Sequence, residues 1–147
     1  MFDVYVAAEA LEAAEEHFRQ ASWDGKEALG LLLGRAFLHG GRPYAVADEY
    51  VTAQNDATAV SVRFSREAFS QLSEKLSDGK QVVGWIHSHP DYGCFLSHTD
   101  MATQEAFFNE PYHFAMVVDP VRREKQCFKV QGSRYVPVSF AVIRKKA

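Results

Sequence analysis

The chain has 147 residues, 47% of them apolar and 24% charged, the balance of one globular domain, which excludes wholesale disorder. Sixteen basic residues against nineteen acidic ones leave a net charge of −3, too even for a strong nucleic-acid binder. Two cysteines, Cys94 and Cys127, are too few for a disulfide scaffold, and no apolar run approaches the roughly 18–20 residues that span a bilayer.

Residues 8–21, rich in Ala, Glu and Leu, predict a first helix. Asp24-Gly25 breaks it, and residues 26–34 read as a buried strand. His39-Gly40-Gly41-Arg42 is a hairpin turn flanked by strands at 35–38 and 44–51. Residues 59–64 alternate like a strand, and Ser65 caps a second helix that ends near Asp78-Gly79. An apolar strand at 82–88, a loop and a third helix over about 97–108 come next. Strands near 113–118 and 125–130 follow, with an Asp119-Pro120 turn after the first, and 134–143 alternates weakly as a last strand. The pattern is α+β: a mixed sheet with helices packed on it.

The chemistry concentrates in residues 84–100, GWIHSHPDYGCFLSHTD. His87 and His89 are two apart, so on a strand both imidazoles leave one face while Ser88 points the other way. Pro90 cannot continue a sheet ladder and ends the strand. Asp100 follows in the first turn of the third helix. Two imidazoles and a carboxylate suit zinc, and three protein ligands leave a fourth position for water, the mark of a catalytic site. Asp91 and His98 are the other candidates nearby. A His-x-His pair alone carries little weight in a chain of six histidines; with Pro90, Ser97 and Asp100 in place the set is specific.

Glu27 is the second element of interest. In strand register it shares a face with Leu29, Leu31 and Leu33, where a carboxylate is unusual. Two readings stay open: a general base and acid beside a metal-activated water, or a strand-end glutamate reaching solvent.

Glu27-x-x-Gly30-x-Leu32-x-Gly34 followed by His87-Ser88-His89-Pro90-x6-Ser97-x-x-Asp100 resembles the full signature of the JAMM/MPN+ (Mov34/PAD-1) zinc metalloprotease family. Over roughly residues 25–130 the chain is most similar to the proteasome-lid deubiquitinase and signalosome deneddylase branch. The resemblance implies a single JAMM/MPN+ catalytic domain over 1–147, a mixed β-sheet packed by helices with a cytidine-deaminase-like layout of the zinc site. It implies one catalytic Zn2+ held by His87, His89 and Asp100, with Glu27 as the acid and base and Ser97 steadying the oxyanion. Family members cut the isopeptide bond between a ubiquitin-like C terminus and a lysine. The loop Gly93-Cys94-Phe95-Leu96 corresponds to the one lining their channel for the substrate's small tail, with Phe95 where Trp is expected. Residues 58–64, with Val60, Val62 and Phe64 on one face, correspond to a segment that pairs with the tail; an ordinary sheet strand is the other reading.

The expected function is a zinc isopeptidase or peptidase that removes or matures ubiquitin-like or sulfur-carrier-like proteins ending in glycine. The alternatives are a JAMM peptidase acting on cell-wall or phage-tail peptides, or a non-catalytic MPN scaffold binding ubiquitin-like partners. An ending at Ala147, without the relatives' long C-terminal extension, implies a compact prokaryotic-type member acting as monomer or homodimer. The start Met1-Phe2-Asp3-Val4 lacks a signal-peptide pattern, so a cytoplasmic location is expected, with no nucleic-acid or membrane partner.

Several of these residues have plainer readings. Ser97 serves as a helix N-cap with Asp100 completing the capping arrangement, a role compatible with catalysis. His98 faces solvent, His17 and His39 lie on the surface, and His113 is a satisfied strand-edge residue. Cys94 packs rather than acting as a nucleophile or redox group. Asp119 is a turn residue before Pro120.

Overall fold

The computed structural model describes residues 1–52, 76 and 79–144. In chain order these form β1 (Val4–Ala7), α1 (Ala8–Ser22), β2 (Leu29–His39), β3 (Arg42–Thr52), β4 (Gln81–Ser88), α2 (His98–Phe107), β5 (Phe114–Asp119), β6 (Glu124–Gln131), β7 (Arg134–Val138) and β8 (Phe140–Ile143). The strand expected at 59–64, with Val60, Val62 and Phe64, and the helix expected from Ser65 lie outside the described residues.

Among the described residues one eight-stranded sheet runs in the order β7-β6-β5-β4-β2-β3-β1-β8. β2 pairs antiparallel with both β3 and β4, whereas β4 and β5 run parallel. β1 lies parallel to both β3 and β8. The fold is α+β, as the element pattern predicts.

The helix α1 buries Leu11, Ala14 and Phe18 against Leu32, Val83, Ile86, Met116 and Val118 on one face of the sheet. Full burial of a side chain such as Phe18 contributes about 1.5–3 kcal/mol. On the opposite face Leu29, Leu31, Leu33, Trp85, Ala115 and Val117 meet Leu96 and Phe108, which flank α2. Alternation along β4 therefore sends Trp85 and His87 to the α2 face. The β2–β3 turn has φ of 57° at Gly40 and 80° at Gly41, the left-handed pair that a two-residue hairpin loop requires. Gly34 has a different cause: a Cβ there would collide with the Val46 carbonyl oxygen, where the β2–β3 register shifts.

Three elements differ from expectation. The strand expected at 26–34 begins only at Leu29 and continues to His39, so Glu27 precedes the strand. β1 has only four residues and runs straight into α1 without a side-chain cap, so neither length nor capping marks it locally. The segment 134–143 splits at Ser139: β7 forms a hairpin with β6, while β8 lies at the far edge beside β1. Ser139 anchors that switch, its carbonyl accepting from the Val4 N–H at 3.2 Å. No helix of the described residues is long and apolar enough to cross a membrane.

Candidate metal centre

His87 is the penultimate residue of β4, and the His89 backbone N–H donates to Val118 O at 2.9 Å, carrying the β4–β5 association one step past the strand. Both histidines thus stand where two parallel strands end, beside the start of β2, which pairs Leu29 with His87. Carboxyl ends of neighbouring parallel strands are where open α/β sheets gather ligands. Asp100 arrives from α2. The Ser97 hydroxyl accepts from the Asp100 N–H at 3.1 Å, and Asp100 Oδ2 accepts from the Ser97 N–H at 2.9 Å, a complete capping box.

That same Oδ2 lies 3.1 Å from Nε2 of His87 and 3.2 Å from Nε2 of His89. Donor atoms of all three residues fall within 4.8 Å of one another, and all three side chains are buried. The His87 contact is at ion-pair distance, and among the described residues neither ring nitrogen of this fully buried imidazole has a hydrogen-bonding partner. Buried polar nitrogens without partners are costly and rare. Two imidazole nitrogens and a carboxylate oxygen converging with one pair unsatisfied fit a zinc ion by donor chemistry. Burial alone would raise the Asp100 carboxyl; the facing imidazoles and the Ser97 N–H outweigh it and hold the group well below the usual carboxylate range.

His87 is oriented by stacking. Its ring lies on Trp85 with centroids 4.4 Å apart and planes within 11°, while the Trp85 indole N–H donates to Gln104 Oε1 at 2.7 Å. His89 is oriented by a hydrogen bond, its Nδ1 lying 3.0 Å from Gly93 O. Trp85 and Gln104 are site-shaping residues that sequence reasoning missed.

Ser88 brings Glu27 across. From the opposite face of β4 its N–H donates to Ala28 O and its hydroxyl accepts from the Ala28 N–H, each at 3.0 Å. This stitches residues 26–28 to the end of β4 although they are not strand. Glu27 is 3% exposed, so its carboxylate does not reach into solvent. The Tyr92 hydroxyl donates to Glu27 Oε2, and the Tyr92 ring stacks on His89 at 4.8 Å. Burial raises the Glu27 carboxyl above its ordinary value, against the lowering pull of Tyr92 and both histidines. Tyr92 is the other missed residue; its only sequence signal is an aromatic two residues past Pro90.

The remaining candidates divide. Asp91 is exposed, with φ of 69°, and pairs with Arg122 at 3.2 Å instead of joining the cluster. His98 and His39 are exposed. His17, expected on the surface, is half-buried because its Nδ1 meets the Tyr50 hydroxyl at 2.7 Å. His113 is satisfied on both sides, by the Glu110 N–H and by Val82 O. The Cys94 thiol donates to Val117 O at 3.4 Å, and burial pushes it up to about 11, so it is no ready thiolate. Leu96 is buried in the α2-side core, whereas Phe95 is 38% exposed with its ring 4.8 Å from that of His89. Asp119 is more than a turn residue. It has no exposed surface, and its carboxylate accepts backbone N–H groups from Val121 and Arg122 in the turn and from Asp91 and Gly93 in the loop after β4.

Known proteins resemble this chain in sequence and in fold. The family profile described as JAB1/Mov34/MPN/PAD-1 ubiquitin protease matches residues 2–110. COP9 signalosome complex subunit 5 of Candida albicans is 39% identical over 115 residues, covering 68% of this chain and 17% of the relative. The 26S proteasome regulatory subunit rpn11 of Schizosaccharomyces pombe is 33% identical over 138 residues, covering 90% of this chain and 43% of the relative. The chain therefore spans less than half the length of these relatives. A solution structure of a Desulfitobacterium hafniense protein shares the fold with a TM-score of 0.71 at 20% identity, covering 97% of this chain and 94% of that one.

Proposed function

The chain belongs to the JAB1/Mov34/MPN/PAD-1 ubiquitin protease family, and from that membership we propose that it is a zinc-dependent isopeptidase cutting after the C-terminal glycine of ubiquitin-like or sulfur-carrier-like proteins. The observation that carries the reading is the buried His87–His89–Asp100 cluster, with unpartnered nitrogens on His87 and the buried Glu27 within electrostatic reach. The reading treats the chain as one catalytic domain, supported by the continuous sheet from β7 to β8.

His87, His89 and Asp100 would hold one zinc ion, whose chemistry there is to polarise the scissile carbonyl and acidify a water. Glu27 takes the water's proton and returns it to the departing lysine amine. A carboxyl raised by burial suits transfer in both directions. Tyr92 holds Oε2 of Glu27, which leaves Oε1 for the proton. The Ser97 hydroxyl accepts from the Asp100 N–H, so its own hydrogen is left to donate to the oxyanion. In this reading the glycine-ended tail runs past Gly93, Cys94 and Phe95, with buried Leu96 anchoring that loop, and pairs along Val60, Val62 and Phe64, which lie outside the described residues.

The test is cleavage of a ubiquitin-like–lysine isopeptide substrate by the full chain, with and without a zinc chelator. Cleavage is expected to stop on chelation. Glu27→Gln is expected to lower kcat by about 10²–10⁴ while zinc content stays unchanged. Because the base acts ionised, the wild-type rate should fall as pH drops through the raised Glu27 value. Cleavage that survives chelation would overturn the metal mechanism, and a fully active Glu27→Gln would remove Glu27 from it.

A further inference from the structure

We propose that Asp119 is a positioning residue for the metal centre, acting through Gly93 to decide which ring nitrogen His89 presents to a metal. The inference rests on the metal-site reading above.

A turn before Pro120 needs only the bonds from Asp119 Oδ1 to the N–H groups of Val121 at 3.0 Å and Arg122 at 2.9 Å. Two further bonds reach 28 and 26 residues back, to the N–H groups of Asp91 at 2.9 Å and Gly93 at 2.8 Å. Asp91 holds a left-handed conformation that needs support, with φ of 69°, while Gly93 at 85° takes one open to glycine without strain. The carboxylate thus grips both sides of Tyr92, whose ring lies on His89 and whose hydroxyl holds Glu27.

Gly93 transmits the grip. Asp119 fixes its N–H, and its carbonyl lies 3.0 Å from His89 Nδ1. A carbonyl only accepts, so Nδ1 carries a hydrogen, and Nε2, 3.2 Å from Asp100 Oδ2, is the nitrogen left to bind metal. Carboxylates that touch a metal-binding histidine directly set its tautomer and ring orientation in this way. Here one glycine stands between the two groups.

The test compares Asp119→Asn with wild type as full chains, measuring zinc affinity by competition with a chromophoric chelator. The amide would point an N–H₂ group at backbone donors, and zinc affinity is expected to fall about 10–100-fold. A merely structural Asp119 would lower the melting temperature yet leave the affinity of the folded protein unchanged. In the zinc-loaded wild type, nitrogen-15 spectra are expected to show the His89 proton on Nδ1. The proposal is overturned by a folded Asp119→Asn that binds zinc as wild type does, or by a His89 protonated on Nε2 in the zinc-loaded wild type. The second measurement needs no variant, so the proposal can still be overturned if Asp119→Asn does not fold. Asp100→Asn, which removes a ligand, is expected to lose tight zinc binding; wild-type affinity there would overturn the metal-site reading itself and not the role of Asp119 alone.

Discussion

Ser97 joins two roles in one hydroxyl. Its lone pair caps α2 through the Asp100 N–H, and its hydrogen remains to donate. The two roles carry different magnitudes. Losing an N-cap acceptor costs about 0.5–2 kcal/mol, whereas losing one oxyanion donor costs about 10²–10³ in rate. Ser97→Ala should therefore melt only a few degrees lower while kcat falls by two to three orders of magnitude, both read on one preparation. A rate change no larger than the stability change would reduce Ser97 to a cap. Asp100 doubles its work in the same manner. The oxygen that accepts the Ser97 N–H also faces both imidazoles, so the helix start and the ligand set are one construction.

At the level of elements, β4 serves both faces of the sheet at one end. His87 and the residue two beyond it look toward α2, while Ser88 looks the other way and ties down Ala28. That tie holds Glu27, which has no strand pairing of its own. Ser88→Ala removes the acceptor of a buried N–H, which costs about 1–3 kcal/mol when left unpaired. It should also let the 26–28 segment shift. The expected outcome is a lower kcat with zinc affinity unchanged, since no ligand is touched. Equal loss of affinity and rate would show that the stitch supports the ligands and not Glu27.

Across the whole molecule, the cluster draws on the end of β4, the start of α2 and the segment before β2, and the loop clamped by β5 encloses it. An ion held by two histidines from the end of β4 and a carboxylate from α2 binds the folded chain far more tightly than the unfolded one. Saturation a hundredfold above Kd would stabilise the fold by about 2.7 kcal/mol. Thermal melting with added zinc, set against melting with chelator, should differ by several degrees, and Asp100→Asn should erase the difference. Identical melting curves for the wild type would count against a zinc site.

The amino-acid sequence by itself determined what local geometry dictates. Strand alternation set His87 and His89 on one face, Ser97 and Asp100 three apart made the capping box, and Gly40-Gly41 made the hairpin turn. In each case the cause lies within a few residues, where periodicity and capping chemistry act. The tertiary structure alone decided the burial of Glu27, whose neighbour Ala28 lies sixty residues from its partner Ser88, and the placing of β1 and β8 side by side at one edge. It alone set the Tyr92 ring on His89 and gave Asp119 two donors from a distant loop. A carboxylate accepts whichever N–H the fold brings to it, and a strand pairs with whichever edge lies open. Neither choice leaves a mark in the neighbouring sequence, because the energy that decides it comes from groups far along the chain.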